Sequence, residues 1–311
     1  MDHSKTVNDL FSGQLSEWDL ARVNYQQLDN VKTRTISFGI YDLIVQFNPG
    51  RITSSAAKVD SKSIEARPCF LCEKNRPAQQ RGLKFGNDCT ILVNPFPIFH
   101  RHLTIVSDDH TEQRILKPFR KMLLLAREIP EFVIFYNGPQ CGASAPDHLH
   151  FQAGNKGFLP IENDFKRKAT CSLYDLKGGT EIWRWGGYGR GIVTMKGTDI
   201  ERLVAGFEEF YMRFAVLQPD RPEPMLNILA YFSGVDWIIH IIPRKLHRPS
   251  QFFAEGEEKI ILSPASVDMG GVVITPREED FDKITSSDIS DIFRQVCLSD
   301  EELLPLISNI L

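Results

Sequence analysis

The residues with the clearest capacity for chemistry are Asp147-His148-Leu149-His150-Phe151-Gln152. They follow Tyr136-Asn137-Gly138 and the small-residue run Gly142-Ala143-Ser144-Ala145-Pro146. Read as a strand, the stretch alternates with period two: His148, His150 and Gln152 share one face, Leu149 and Phe151 the other. The apolar pair can anchor the strand in a core while the polar trio lines a surface on a rigid element. Taken alone, His-x-His-x-Gln more often marks a solvated strand face, and its surroundings decide between the readings.

The second chemical feature is Cys69-Phe70-Leu71-Cys72, followed by Asn75-Arg76-Pro77. Two thiols at this spacing, before polar turn residues, read as half of a tetrahedral zinc site. A redox dithiol would need the first cysteine at a helix N-terminus within a βαβ pattern, and the flanking residues show no such pattern. A pair of merely buried thiols is the bland alternative. Adding His148 and one further imidazole, from His100, His102 or His110, completes a Cys₂His₂ set. Such a closed site leaves no place for a reacting water, so its zinc is structural. It would fix His148 and leave His150 pointing at a substrate.

Several elements must position these groups. Residues 7–30 read as one or two edge helices. Ile36, Phe38 and Ile40, then Leu43, Val45 and Phe47, read as a hairpin turning at Tyr41-Asp42. Asn48-Pro49-Gly50 ends it, and Arg51 and Lys58 follow on a polar connection that reads first as a solvated loop, with phosphate contact by its basic side chains as the alternative. Strands at Thr90–Asn94 and Leu103–Val106 lead through Ser107-Asp108-Asp109-His110 into an amphipathic helix with Ile115, Phe119, Met122, Leu123 and Ala126 on its apolar face. Phe132–Tyr136 is a buried strand that turns back into the histidine strand. Gly178-Gly179 and the run Gly186 to Gly191 read as a flexible joint. The element order then repeats: a helix through Leu203, Phe207 and Phe214, strands at Asn227–Phe232 and Trp237–Arg244, and a helical, Leu-rich stretch over 286–311. Only His240 sits where the first half has His-x-His-x-Gln, so the second half is expected to be structural. The implied class is α+β with antiparallel sheets and packed helices. The Gly-rich phosphate loops of parallel α/β proteins are missing from the sequence.

At 311 residues, with 42% hydrophobic and 24% charged residues, the chain has the composition of a globular protein. A net charge of -4 supplies no basic field and argues against nucleic acid as the main partner. Six scattered cysteines fit a reducing compartment. The polar start and the lack of a long apolar run give no sign of a signal peptide or membrane span, so the expected location is cytoplasmic and no membrane partner is expected.

The combined motifs resemble galactose-1-phosphate uridylyltransferase of the histidine-triad superfamily. The resemblance rests on Phe-Leu between the cysteines, Ser107-Asp108-Asp109-His110, and Pro146-Asp147-His148-Leu149-His150-Phe151-Gln152 leading to Phe158-Leu159-Pro160-Ile161-Glu162. The stretch 148–153 also resembles plant GDP-galactose phosphorylases and, more loosely, diadenosine tetraphosphate phosphorylases. The resemblance implies duplicated histidine-triad-like halves: a catalytic half over 1–176 with the zinc site, a connection over 177–198, and a degenerate half with C-terminal helices over 199–311. It selects His110 as fourth ligand beside Cys69, Cys72 and His148, implies a homodimer, and places the chain in carbohydrate metabolism. It further implies a nucleotidyltransferase or phosphorylase. His150 would attack a nucleotide sugar or dinucleoside polyphosphate and pass the nucleotidyl group to phosphate or a sugar phosphate. Gln152 stands in the last triad position, Asn137 and Ser144 match phosphate-contacting positions, and Arg51 is a candidate substrate contact. A second metal site is not expected, since Glu162 and His240 alone remain of its ligands. The competing readings are a hydrolase of the same superfamily, which Gln152 disfavours because an amide cannot shuttle a proton, and a non-catalytic zinc-stabilised nucleotide-binding protein.

Overall fold

Phe132–Tyr136 is apolar at every position and Trp237–Ile242 at every position but His240, which suits strands covered on both faces. A computed structural model, describing residues 3–52, 60–308 and 310, places both runs inside a ten-stranded sheet. In spatial order its strands are β3 (Gly82–Phe85), β4 (Cys89–Val93), β5 (His102–Ser107), β7 (His150–Asn155), β6 (Phe132–Asn137), β11 (Leu226–Phe232), β12 (Trp237–Pro243), β10 (Val193–Gly197), β9 (Thr180–Trp185) and β8 (Cys171–Lys177). Every neighbouring pair is antiparallel. A second sheet joins β1 (Lys32–Ser37) to β2 (Asp42–Phe47) antiparallel, and β2 to β13 (Val272–Thr275) parallel.

The large sheet separates two cores. On one face Ile134, Phe151, Ala153, Ile228 and Ile239 pack under the helices His3–Glu17, Phe119–Glu128 and Ile200–Val216. Phe119 and Phe207 stack there with ring centres 3.7 Å apart. On the other face Val133, Phe135, Leu229 and Ile242 meet the small sheet and the helices Pro160–Arg167 and Ser286–Val296. The fold is α+β, with two sheets and packed helices. No helix among the described residues is long and apolar enough to cross a membrane.

Four local expectations are corrected. The β1–β2 hairpin turns over residues 38–41, not at Tyr41-Asp42. Phe38 donates to the Tyr41 carbonyl, the two rings stack, and Gly39 supplies a φ of +85°. The helix expected after His110 begins only at Phe119, because residues 111–117 run irregularly and bury Gln113. The stretch expected as a flexible joint carries β9 and β10, since Trp185 buries against Tyr188 and Phe165. The histidine strand starts at His150, so His148 lies in the preceding turn, where its N–H donates to the Ala145 carbonyl.

Candidate functional site

The turn before β7, the loop after β5 and the Cys-x-x-Cys loop converge. The ligating atoms of Cys69, Cys72, His110 and His148 all lie within 4.8 Å of one another. Cys69 Sγ is 3.3 Å from His148 Nδ1, and Cys72 Sγ is 3.2 Å from His110 Nδ1 and 3.6 Å from His148 Nδ1. A tetrahedral ion with metal–sulfur and metal–nitrogen bonds of about 2.3 and 2.05 Å requires sulfur–nitrogen edges of about 3.5 Å, so the donor set fits such an ion. His148 Nε2 donates to the Ser107 carbonyl at 2.8 Å, which leaves Nδ1 as the lone-pair atom facing the sulfurs. Asp147 lies 3.9 Å from His110 Nε2 and is held by Arg67 at 2.9 Å. The four expected ligands are thus brought together. His102 stands elsewhere, fully buried on β5, and His100 is exposed.

His150 and Gln152 occupy one face of β7. Extending the β6–β7 register Phe135↔Gln152 by two residues sets Asn137 across from His150. His150 is 3% exposed. Its Nδ1 lies 2.8 Å from the His148 carbonyl oxygen, which can only accept, so Nδ1 carries the proton. Nε2 keeps its lone pair and has no protein partner among the described residues. Burial pushes the imidazole pKa down to about 4, so the ring is neutral at pH 7.

Gln113 holds this strand end. Its Oε1 accepts from His150 N at 2.8 Å, and its Nε2 donates to the carbonyls of His150 and Asn137, each at 3.0 Å. It replaces the ladder where β6 parts from β7. The sequence carries no periodic signal for such a residue.

Arg51, Asn137, Ser144 and Gln152 line one cleft, and His150 stands two residues before Gln152 on the same face of β7 without itself lining it. Lys58 lies outside the described residues. The opposite wall comes from the second half: His247, Arg248, Ser263 and Asp268. The second half therefore supplies one wall of the cleft, and these residues were missed because nothing in its pattern resembles His-x-His-x-Gln. Arg248 donates to Ser263 Oγ at 3.0 Å and stacks over Phe252. Burial, then the charges of Arg248 and Arg244, push His247 down to about 4. Burial raises Asp268 to about 6, although its carboxylate accepts from the N–H groups of Ile274 and Ala265. Arg51 and Arg248 supply positive charge suited to phosphoryl oxygens. Glu162 and His240 lie apart from the cleft. Glu162 caps its own helix through the N–H groups of Gly157 and Leu159, and His240 is fully buried with Nδ1 2.7 Å from Thr194 Oγ1.

With this geometry in place, similarity to known proteins can be set beside it. Residues 10–155 match a family described as a domain of unknown function, DUF4922, and residues 165–311 match the family described as GDPGP1-like, C-terminal domain. No curated protein sequence matches the chain. Among solved structures, yeast Ap4A phosphorylase Apa2 is 14% identical, with a TM-score of 0.59 over 95% of this chain and 94% of that one. Its complex with Ap4A gives a TM-score of 0.62 at 14% identity, covering 91% and 95%. Its complex with AMP gives 0.59 at 14%, again covering 91% and 95%. The fold is shared with this phosphorylase. At this identity the likeness concerns the fold and leaves the reaction to the chemistry of the cleft.

Proposed function

We propose that this chain is a nucleotidyltransferase of the phosphorylase kind, working through a covalent nucleotidyl-histidine at His150. Its substrate would be a nucleotide sugar or a dinucleoside polyphosphate. The observation that carries the reading is the His150 ring: protonated at Nδ1 by a bond to the His148 carbonyl, unpartnered at Nε2 among the described residues, and on the same strand face as Gln152, which lines a cleft with Arg51, Asn137 and Arg248. The fold shared with an Ap4A phosphorylase and the GDPGP1-like match of the second half support the same class.

In the first step the Nε2 lone pair attacks the α-phosphorus. A P–N bond forms, the bridging P–O bond breaks, and the phosphate-bearing group departs with the electron pair. The imidazolium so created is stabilised at Nδ1–H by the His148 carbonyl. In the second step an oxygen of phosphate or a sugar phosphate attacks, the P–N bond breaks, and the neutral ring returns. Arg51, Arg248 and the amides of Asn137 and Gln152 would hold the charged oxygens, and Ser144 would hold the departing phosphate. Gln152 cannot carry a proton to or from water, which favours an ionised acceptor over hydrolysis.

The proposal assigns zinc to Cys69, Cys72, His110 and His148. Bound there it would neutralise the thiolates and fix the turn that carries the His148 carbonyl. The strand order, β3-β4-β5-β7-β6 meeting β11-β12-β10-β9-β8, supports two histidine-triad-like halves, of which the first holds the nucleophile.

Incubation with radiolabelled nucleoside diphosphate sugars and dinucleoside polyphosphates should give an acid-labile labelled protein, discharged by added phosphate. A His150→Asn variant that still labels fully would overturn the mechanism. Turnover that is equally fast without phosphate would point to a hydrolase.

A further inference from the structure

The cleft presents two primary amides, Asn137 and Gln152. An amide can offer an acceptor oxygen or a donor NH₂, and which one faces a ligand depends on what holds the other. Here each orientation follows from a chain of hydrogen bonds that starts at a group able to play a single role.

The first chain starts at Arg244, which is fully buried at the end of β12. A guanidinium has five N–H donors and no acceptor. All five are used: Nε donates to the Val296 carbonyl, Nη1 to Asn227 Oδ1 and the Pro264 carbonyl, and Nη2 to the carbonyls of Leu246 and His247. The 2.6 Å bond therefore makes Oδ1 the acceptor of Asn227 and leaves its Nδ2 as donor. That Nδ2 donates to Asn137 Oδ1 at 2.9 Å and to the Cys141 carbonyl at 2.8 Å. The backbone N–H of Ser266 donates to the same Asn137 oxygen at 2.8 Å. With Oδ1 doubly occupied, Asn137 has only its NH₂ left for the cleft.

The second chain starts at the backbone N–H of Ile98, which donates to His102 Nδ1 at 3.2 Å. That ring nitrogen is then the acceptor, and Nε2 carries the proton. Nε2 lies 2.8 Å from Gln152 Oε1 and donates to it. His102 is fully buried and held down to about 3, first by burial, so the neutral tautomer persists. Gln152 too has only its NH₂ left for the cleft. The two chains share no residue, come from different halves of the molecule, and give the same polarity.

We propose that His102 and the Arg244–Asn227 pair are positioning residues that lock Gln152 and Asn137 as donors, so that the cleft selects a ligand group with only acceptor oxygens, an unprotonated phosphoryl group. The choice of ligand class rests on the proposed function. The locking of the amides is a separate property of these side chains. Arg244 also fixes the carbonyls of Leu246 and His247, and so presents the Arg248 wall across the same cleft.

Two double-mutant cycles on the full chain test this, with AMP and GMP binding measured by calorimetry. Asn227→Asp keeps an acceptor for Arg244 but offers Asn137 a carboxylate, which draws the Asn137 NH₂ inward and turns its oxygen to the ligand. His102→Phe removes the donor to Gln152. Each should weaken nucleotide binding about tenfold to hundredfold, the loss of one hydrogen bond to a charged group. In Asn137→Ala and Gln152→Ala backgrounds, respectively, the further loss should vanish, because a positioning residue acts only through the amide it orients. Wild-type affinity in both Asn227→Asp and His102→Phe, or losses that add fully in the double variants, would overturn the proposal. If one variant fails to fold, the other cycle decides. A wild-type chain that binds nucleotides without ever labelling His150 would sink the covalent reading while these cycles still judge the orientation. A wild-type chain that binds neither AMP nor GMP would overturn both.

Discussion

Gln113 offers the sharpest test of how His150, the proposed nucleophile, is held. Its side chain makes three hydrogen bonds, to His150 N, His150 O and Asn137 O, at a fully buried site. Gln113→Leu keeps the volume and removes all three, stranding one backbone donor and two backbone acceptors. Each buried group left unpaired costs about 1–3 kcal/mol, and partial relaxation makes the sum less than additive. The expected loss is about 3–6 kcal/mol, a large part of the stability of an ordinary domain at about 5–15 kcal/mol. Urea unfolding followed by tryptophan fluorescence should show the midpoint fall with little change in slope. Conditions that keep the variant folded should still show His150 labelling reduced by about a hundredfold, the scale of an ångström misplacement of a reacting atom. A loss under about 1 kcal/mol together with wild-type labelling would refute the idea that this amide stands in for the missing ladder.

Other expectations follow from the same structure. Elemental analysis should find one tightly bound zinc per chain, and Cys72→Ala or His110→Ala should release it and lower the melting temperature steeply; a metal-free protein of unchanged stability would remove the metal site from the account. Glu223 is buried and pushed up to about 7, first by burial, despite bonds from Tyr136 Oη and Ile115 N at 2.6 Å each. Between its ordinary value near 4.5 and about 7 the folded chain binds the extra proton, so stability is highest below that window and falls as pH rises through it. The fall should be roughly 2–3 kcal/mol, and Glu223→Gln should flatten it when the two proteins are unfolded side by side from pH 4.5 to 8. At Gly154 an added Cβ would stand 2.4 Å from the Phe99 ring, which packs edge-on against His102. Gly154→Ala should therefore cost about 1–3 kcal/mol by overpacking, and a neutral result in thermal unfolding would show that Phe99 has room to move.

Much of this architecture was legible in the amino-acid order. The apolar run at 132–136 marked a buried strand, 237–244 read as a further strand, and the spacing of Phe119, Met122, Leu123 and Ala126 marked a helix face, because periodicity reports burial directly. The metal set was legible because two thiols at short spacing are rare without a purpose, although choosing His110 over His102 needed the family resemblance. Trp183 and Trp185 were misread among glycines. Gly186 to Gly191 suggested mobility, whereas Trp185 is 1% exposed and anchors β9. The failure was one of weighting: a large aromatic side chain that finds a pocket outweighs the chain entropy of neighbouring glycines.

The second wall of the cleft shows a different limit. His247, Arg248 and Ser263 lie about a hundred residues beyond His150 and follow no periodic pattern. They meet it because β6 pairs with β11, joining the halves along a single sheet, and because Arg244 gathers the carbonyls of Leu246, His247, Pro264 and Val296 around one charge. A fully buried guanidinium is tolerable only when each N–H has a partner, so this one dictates where several loops must pass. Its consequence for chemistry lies in polarity more than position. Through Asn227 it decides which end of Asn137 a ligand meets, as His102 does for Gln152 from the other side. With both amide oxygens engaged, Asn137 and Gln152 are left with their NH₂ groups for the cleft, the polarity that the proposed phosphoryl ligand requires.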